Sequence, residues 1–545
     1  MKTIPLLRTI IALALLALWP VLMARAAVTY REPFRPQFHF TPATNWMNDP
    51  NGLVFYDGEY HLFYQYNPFG NKWGHMSWGH AVSRDLVRWE HLPIALREEN
   101  DVMIFSGSAV VDWKNTSGFG RDGKPPMVAI YTGHYTKKPL QNQHLAYSND
   151  KGRTWTKFAG NPVLDIGAQD FRDPKVMWHE SKKRWVMTVA WPIERKVRFY
   201  SSPDLKTWTH LSDFGPAGST AGIWECPDLF PLRIEGKRGL EKWVLIVNVG
   251  SGAPASGSGC QYFVGGFDGN QFTLDAPFPK PQPEFVPEGK IVDQILPANS
   301  PARGATQPAL WADFGPDFYA AVSWGDILQR DGRRLWLGWM SNWQYANDVP
   351  TSPWRSAMSL PRELSLRQTP SGLRLIQTPA GELKKLRGPR QSFKAARSEE
   401  ANAWLKKLSV RGAALELACE FPAATAGLQG IRFFNGTAEE ILLGVNRDQG
   451  VVFVDRTHSG NVTFHPGFAG RHSAPLAARG GPVKLHVFVD ACSLELFVND
   501  GELAMTSLIL PSEKQWEVEL LSSGSKRVQL EIWPLRSIWE STAPK

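Results

Sequence analysis

Three short stretches set a carboxylate next to proline or separated from it by one residue: Asp49 in Asn45-Trp46-Met47-Asn48-Asp49-Pro50-Asn51-Gly52, Asp173 in Phe171-Arg172-Asp173-Pro174, and Glu225 in Trp224-Glu225-Cys226-Pro227-Asp228. Proline removes a backbone donor and keeps the residue before it extended, which suits a strand entering from a loop. Three acids that converge in space fit glycoside hydrolysis. Cleaving an acetal takes a proton for the leaving oxygen and a carboxylate that attacks the anomeric carbon or activates water. A third acid can hold sugar hydroxyls. A three-acid metal site is the competing chemistry, but no His-x-x-x-His pair or calcium-binding acidic loop accompanies these residues, so neither a metal nor a cofactor is expected. Most of the 52 Asp and Glu must be ordinary turn and strand-capping residues. The three acids gain meaning only if the fold puts them in register.

The elements that would do so recur along the chain. Between about residues 45 and 343, an aromatic-rich strand, a tight turn and a second such strand appear five times. The first copy is Gly52 to Tyr56, a turn at Asp57-Gly58, then Tyr60 to Tyr66, and Asp-Gly between aromatic runs is a strong hairpin signal. The others are Ser106 to Thr132, Asp173 to Trp191, Asp228 to Val249 and Asp317 to Trp343. A second repeat supports the first: Ser83-Arg84-Asp85 leading to Trp89, Ser148-Asn149-Asp150 to Trp155, and Ser202-Pro203-Asp204 to Trp208. In each copy the Asp can tie its side chain to turn amides while the Trp packs between units. The spacing has room for four strands per unit. It predicts an all-β fold with a five-bladed β-propeller, in which the first strand of each blade lines a central channel. The acids begin units one, three and four, so they would face one another at one end of that channel.

Outside this region the character changes. Lys2 and Arg8 flank an apolar run from Ile10 to Met23 that ends in Ala24-Arg25-Ala26, the pattern of a signal peptide over residues 1–26. The run is short for a membrane span. Export to a secreted or periplasmic location is expected, and without the leader the formal charge falls from +8 to +5. No polybasic arm or stripe is present, so a nucleic-acid partner is not implied, and no later segment could span a bilayer. After about residue 385, Ala401 to Leu408 could form a short helix. Alternating strands follow at Ala414 to Phe421, Gly430 to Phe434, Ile441 to Val445, Val451 to Val454, Val483 to Val489, Ser493 to Val498 and Val528 to Ile532. Short strands broken by turns such as Asn499-Asp500-Gly501 predict a β-sandwich in a supporting or binding role. The domain expectation is therefore a leader over 1–26, a catalytic propeller over 27–380 and a sandwich over 381–545. Composition agrees: 43% hydrophobic residues exclude disorder, and Cys226, Cys260, Cys419 and Cys492 make no zinc-ligand spacing. The 23 Trp, 12 Tyr and 29 Phe suit core packing, with a few left as sugar platforms.

The motifs Trp46 to Gly52, Phe171 to Pro174 and Glu225 to Asp228 resemble the signatures of glycoside hydrolase family 32, the β-fructofuranosidases. Trp78-Gly79-His80-Ala81-Val82-Ser83 running to His91-Leu92-Pro93, Phe105-Ser106-Gly107-Ser108, and Gly338 to Tyr345 are also similar, and the resemblance covers about residues 35 to 545. It implies a five-bladed propeller followed by a β-sandwich, the count reached from the repeats. It also implies roles: Asp49 as nucleophile, Glu225 as general acid and then base, and Asp173 as transition-state stabiliser. Arg172, Asn48, Gln65, Trp73, Phe105, Ser106 and Trp339 match positions that shape a fructose pocket, although packing suits Phe105 equally well and Trp343 competes with Trp339.

A retaining mechanism would set the two working carboxyls about 5 to 5.5 Å apart, with Glu225 protonated and Asp49 ionised. The run from Trp339 through Arg355 looks most like bacterial exo-acting levanases and inulinases. Release of terminal fructose from levan or inulin, with sucrose also cleaved, is the expected activity; a sucrose-specific invertase or a fructosyltransferase is the alternative on the same site. An Asp-box sialidase would need an arginine cluster and a nucleophilic Tyr that the sequence does not offer. An arabinan-cleaving propeller enzyme would invert, and a fructan-binding protein without turnover would have no need of Asp49 and Glu225. Cys226 beside the acid reads as a small buried residue or one that tunes its neighbour. One departure lies in Val489 to Gly501, where Ala491 and Cys492 stand at positions usually held by Arg and Ser, which removes any inter-domain contact by that arginine.

Overall fold

A computed structural model describes residues 29–275, 309–327, 331–395, 397–408, 414–424, 426–436, 438–476, 480–513, 515–522 and 528–539. The leader expected over 1–26 lies outside the described residues. From Asn45 to Pro379 the chain forms five antiparallel sheets in sequence order. Blade I contains Asn45–Tyr56, Glu59–Asn67, Ser77–Ser83 and Glu90–Leu96. Blade II contains Val102–Val111, Met127–Tyr135, Gln141–Ser148 and the short Thr156–Lys157. Blade III contains Arg172–His179, Arg184–Trp191, Lys196–Ser202 and Thr209–Phe214. Blade IV contains Trp224–Arg233, Glu241–Val249, Gly259–Phe267 and Phe272–Leu274, and blade V contains Tyr319–Ser323, Arg334–Met340, Arg362–Thr369 and Gly372–Pro379.

The ring closes where Trp354–Arg355, from the segment inside blade V, pairs in parallel with Asn45–Trp46 of blade I. The Asp-box turns work as their composition predicts. Asp85 accepts from the amides of Val87 and Arg88, Asp150 from Thr154, and Asp204 from Lys206 and Thr207. Their tryptophans fill seams between blades: Trp155 meets Phe63 of blade I edge-on, Trp208 packs into the core shared by blades II and III, and Trp89 stacks on Trp324 beside blade V.

Each innermost strand carries a β-bulge at the same end. The ladder skips between Met47 and Pro50, Ile104 and Gly107, Arg172 and Lys175, Glu225 and Asp228, and Tyr319 and Val322. Two residues there face one on the partner strand, which leaves the pair free of the ladder and re-aims its side chains. The bulged pairs are Asn48-Asp49, Phe105-Ser106, Asp173-Pro174, Cys226-Pro227 and Ala320-Ala321. In blades III, IV and V the first member has left-handed φ: 66° at Asp173, 43° at Cys226 and 51° at Ala320. Non-glycine residues adopt that conformation at a cost, and such strain gathers where function over-determines the backbone.

The second unit is a two-sheet sandwich. One sheet runs Gln391–Ala395, Val528–Pro534, Leu415–Phe421, Val483–Asp490, Ser493–Val498, Leu503–Leu508; the other runs Arg471–Pro475, Val451–His458, Glu440–Asn446, Leu428–Phe434, Glu517–Ser522. Alternating apolar residues from both sheets form one core with the helix Ser398–Leu408 against it. All seven strands read from the sequence are present; Gln391–Ala395, Arg471–Pro475, Leu503–Leu508 and Glu517–Ser522 are additional.

Buried ion pairs tie the sandwich to the propeller. His39 lies between Asp490 (2.8 Å) and Glu495 (3.1 Å), all three without solvent exposure. The Gln37 and Phe38 amides donate to Asp490, and Arg362 of blade V joins Glu495 to Asp313. Arg456 reaches from the sandwich to Asp317 (2.6 Å) and the Tyr345 hydroxyl (2.9 Å). Asp490 therefore carries an inter-domain contact directly before Ala491 and Cys492, where the arginine is absent.

Candidate active site

Asp49, Ser106, Asp173 and Cys226 belong to bulges of blades I to IV, Glu225 immediately precedes its blade's bulge, and all converge at one mouth of the channel. Asp49 is held on both oxygens. Ser106 Oγ donates to Oδ2 (2.6 Å) and Asn48 Nδ2 to Oδ1 (3.0 Å), while Trp46 Nε1 fixes Asn48 by donating to its Oδ1 (2.7 Å). Cys226 Sγ lies 3.5 Å from Asp49 Oδ2 and 3.6 Å from Asp173 Oδ2. Its backbone N–H donates to Asp173 Oδ2 (2.9 Å). The cysteine is buried, as expected, and it bridges Asp49 and Asp173.

Arg172 organises the opposite wall. Its Nε and Nη2 both donate to Glu225 Oε1 (3.0 and 2.8 Å), and Nη1 donates to Asp170 (2.8 Å) and Gln141 (3.2 Å). The Tyr319 hydroxyl, from the first strand of blade V, donates to the other oxygen, Glu225 Oε2. Behind them a polar chain sets the bulge of blade III: Asp173 N–H donates to Thr132 Oγ1, Thr132 to Gln143, and Gln143 Nε2 to the Phe171 carbonyl. Asn248 donates to the Cys226 carbonyl and accepts from the Ala321 amide, joining the bulges of blades IV and V.

Burial dominates the electrostatics. It raises the Asp49 carboxyl above the usual carboxylate range against the hydrogen bonds of Ser106, Asn48 and Cys226, with the charge of Glu225 adding to the rise. Asp173 is pushed up to about 7 by burial and by Glu225 and Asp49, with Arg172 opposing. Burial also lifts the Cys226 thiol and the Tyr319 hydroxyl well above their ordinary values. For Arg172, burial disfavours the charge, but Glu225, Asp173 and Asp170 together hold it on. The mouth thus holds three acids around one permanent cation, and burial and mutual repulsion push both aspartates toward their neutral forms.

The remaining positions named from the resemblance fall into two groups. Gln65 is buried opposite the blade I bulge and donates to the Ile104 carbonyl (3.0 Å). At the rim Trp73 is 41% exposed and meets Phe105 edge-on, and Phe105 stacks on His134 at 4.4 Å. Trp339, by contrast, is fully buried among Trp46, Tyr319 and Trp343, so its ring backs the wall, while Trp343 is only half-buried. Tyr319, Gln141 and Asp170 are site neighbours that sequence reasoning missed. The one signal for Tyr319 was its place at the start of the fifth unit. Among the described residues no cluster of three His, Cys, Asp or Glu side chains is arranged to hold a metal ion.

Two family models cover most of the chain: "Glycosyl hydrolases family 32 N-terminal domain" matches residues 39–379 and "Glycosyl hydrolases family 32 C terminal" matches 382–534. The chain belongs to glycosyl hydrolase family 32. It is a glycoside hydrolase, and its relatives share its architecture. A levanase of Bacillus subtilis (strain 168) is 49% identical over 94% of this chain and 72% of its own length, and an extracellular exo-inulinase of Aspergillus awamori is 39% identical over 94% and 96%. The exo-inulinase structure from Aspergillus awamori superposes with a TM-score of 0.82 at 37% identity, covering 94% of this chain and all of that one. A fructofuranosidase from Schwanniomyces occidentalis complexed with fructose gives 0.79 at 31% identity, covering 94% and 100%. As a family 32 fructosidase, the protein acts on fructans and sucrose-type substrates.

Proposed function

We propose that the protein releases terminal β-D-fructofuranose from levan or inulin, and cleaves sucrose, by a retaining double displacement. Asp49 attacks the anomeric carbon, Glu225 protonates the departing glycosidic oxygen and later removes a proton from water, and Asp173 holds fructose hydroxyls. The carrying observation is that Asp49 and Glu225 are prepared differently. Asp49 accepts from Ser106 and Asn48, which orient a carboxylate for attack, while Glu225 is held by Arg172 on Oε1 and, on Oε2, by the Tyr319 hydroxyl, a group able to donate or accept. With Arg172 taking Oε1, Oε2 is the oxygen that carries the transferable proton. The Tyr319 hydroxyl can donate to it when ionised and accept from it when protonated.

In this reading Asn48, Gln65, Ser106 and Arg172 shape the fructose pocket, Trp73 and Phe105 form its apolar lip, and Trp339 supports the wall from behind. The catalytic unit spans 27–380 and the sandwich 381–545 buttresses it. The leader pattern over 1–26, and relatives described as extracellular, support secretion. Incubation with levan, inulin and sucrose separately, with products resolved by size over time and the first-formed anomer read by NMR, tests the proposal. Fructose alone from the outset, released as the β-anomer, is the expected result. Early oligosaccharides would refute exo-action, and an inverted first product would refute the covalent step.

A further inference from the structure

We infer that the underside of the propeller, at the far end of the channel from the acids, carries a second binding surface for the fructan chain, built on Trp113. The substrate class rests on the function proposed above. Three innermost strands run from the catalytic mouth to aromatic residues at their other ends: Asp49 to Tyr56 in blade I, Ser106 to Trp113 just past the first strand of blade II, and Asp173 to Trp178 in blade III. At about 3.3 Å per residue these ends lie roughly 20 Å below the acids.

Trp113 is 58% exposed, which is unusual for so large a ring. It is also locked. Its Nε1 donates to Asp326 Oδ1 (3.0 Å), while the Val111 amide donates to the other oxygen (3.0 Å), and Tyr56 packs edge-on at 5.6 Å. Asp326 lies just after the first strand of blade V, so the indole edge reaches beneath blade I and its one polar atom is already used. What remains for a partner is a fixed aromatic face. Lys114, the next residue, extends to Glu180 (3.6 Å) and over the Trp178 ring (4.4 Å), and Trp178 meets Trp185 edge-on. Lys114 therefore covers the Trp178 face and Trp185 is buried, so Trp113 is the open ring and charged side chains border it toward blade III.

That mixture selects the occupant. A protein interface built on an exposed tryptophan would have an apolar surround and few lysine and glutamate side chains at its centre. A sugar chain offers C–H faces to stack on rings and hydroxyls for Lys114 and Glu180 to hydrogen-bond. A surface remote from the pocket would keep the enzyme on a polymer after each terminal unit leaves, since rebinding becomes intramolecular.

The test uses the full chain in an Asp49→Ala background, so that the polymer is not digested. Affinity electrophoresis through gels containing levan or inulin, with saturating sucrose to occupy the catalytic pocket, isolates binding elsewhere. Trp113→Ala and Trp113→Phe both lose the bond to Asp326, but only Ala loses the ring. The expected result is retardation of the parent and the Phe variant, with the Ala variant binding about three- to tenfold more weakly. With Asp49 restored, sucrose turnover of the Trp113 variants should match that of the wild type. Equal retardation of all three forms, no retardation of the parent, or a change in oligomeric mass in place of a change in retardation would each overturn the inference. Failure of the wild type to release fructose from either polymer would refute the proposed function instead.

Discussion

Replacing Asp173 by asparagine should make the protein more stable above pH 7 and leave it unchanged below pH 4. Asp173 is buried beside Asp49 and Glu225, and its carboxyl is held at about 7 against an ordinary 3.8. A group whose folded pKa lies above its unfolded value favours the native state fully below the unfolded value, and that contribution is lost as pH rises through the folded one. Some three pH units of displacement correspond to about 4 kcal/mol lost by pH 8. Asparagine keeps an acceptor for the Cys226 amide but gives up the attraction of Arg172, whose Nε lies 4.0 Å away, so about 2 to 4 kcal/mol should be recovered. For a unit the size of the propeller, with an unfolding entropy near 0.7 kcal/mol/K, that is a rise of roughly 3 to 6 °C. Scanning calorimetry of both proteins from pH 3.5 to 8.5 measures it. The gap should open between pH 4 and 7 and then level off. A gap independent of pH, or a wild type that melts higher at pH 8, would refute the reasoning, because then burial does not govern this carboxyl.

Asp49→Ala and Glu225→Ala should each lower kcat on sucrose by about 10³-fold or more while circular dichroism and melting stay native-like, and near-wild-type turnover in either would remove its assigned role. Tyr319→Phe deletes the donor to Glu225 Oε2 and should reduce kcat about 10- to 100-fold, read in steady-state kinetics, with KM changing far less. His39 has burial working against its charge, but Asp490 and Glu495 outweigh it and raise it to about 9. The docking it supplies is complete below pH 6.5 and lost as pH rises through 9, by about 3 kcal/mol. Urea unfolding at pH 6 and pH 10 should show that loss in the wild type and much less of it in His39→Gln.

The parts of the fold that were legible were those written in local residues. Asp85, Asp150 and Asp204 announce their turns because the amides they bind lie within four residues, and the blade count follows from the hairpin repeats. The three acids were readable by their proline neighbours and by the resemblance of their motifs. What escaped was long-range. Tyr319 meets Glu225 across 94 residues, and no local pattern separates it from the other aromatic strand residues. Trp339 was placed at the pocket by motif, whereas Trp343, four residues on, takes the less buried position because the chain turns after Met340. Two of the four additional sandwich strands were hidden for a different reason. Gln391–Ala395 and Arg471–Pro475 are edge strands whose polar composition reads as loop.

The bulges break each innermost strand into segments joined end to end, two in blades II to V and three in blade I, whose ladder skips again between Asn51 and Val54. Below the joint, side chains alternate as the seams between blades demand; above it the alternation restarts, because the inserted residue shifts the parity of everything beyond it. Packing and pocket are thereby decoupled within one continuous segment. Deleting a single residue at any of these joints would leave the lower ladder intact and turn that blade's contribution away from the channel mouth. The protein would remain a propeller and lose a wall of its pocket.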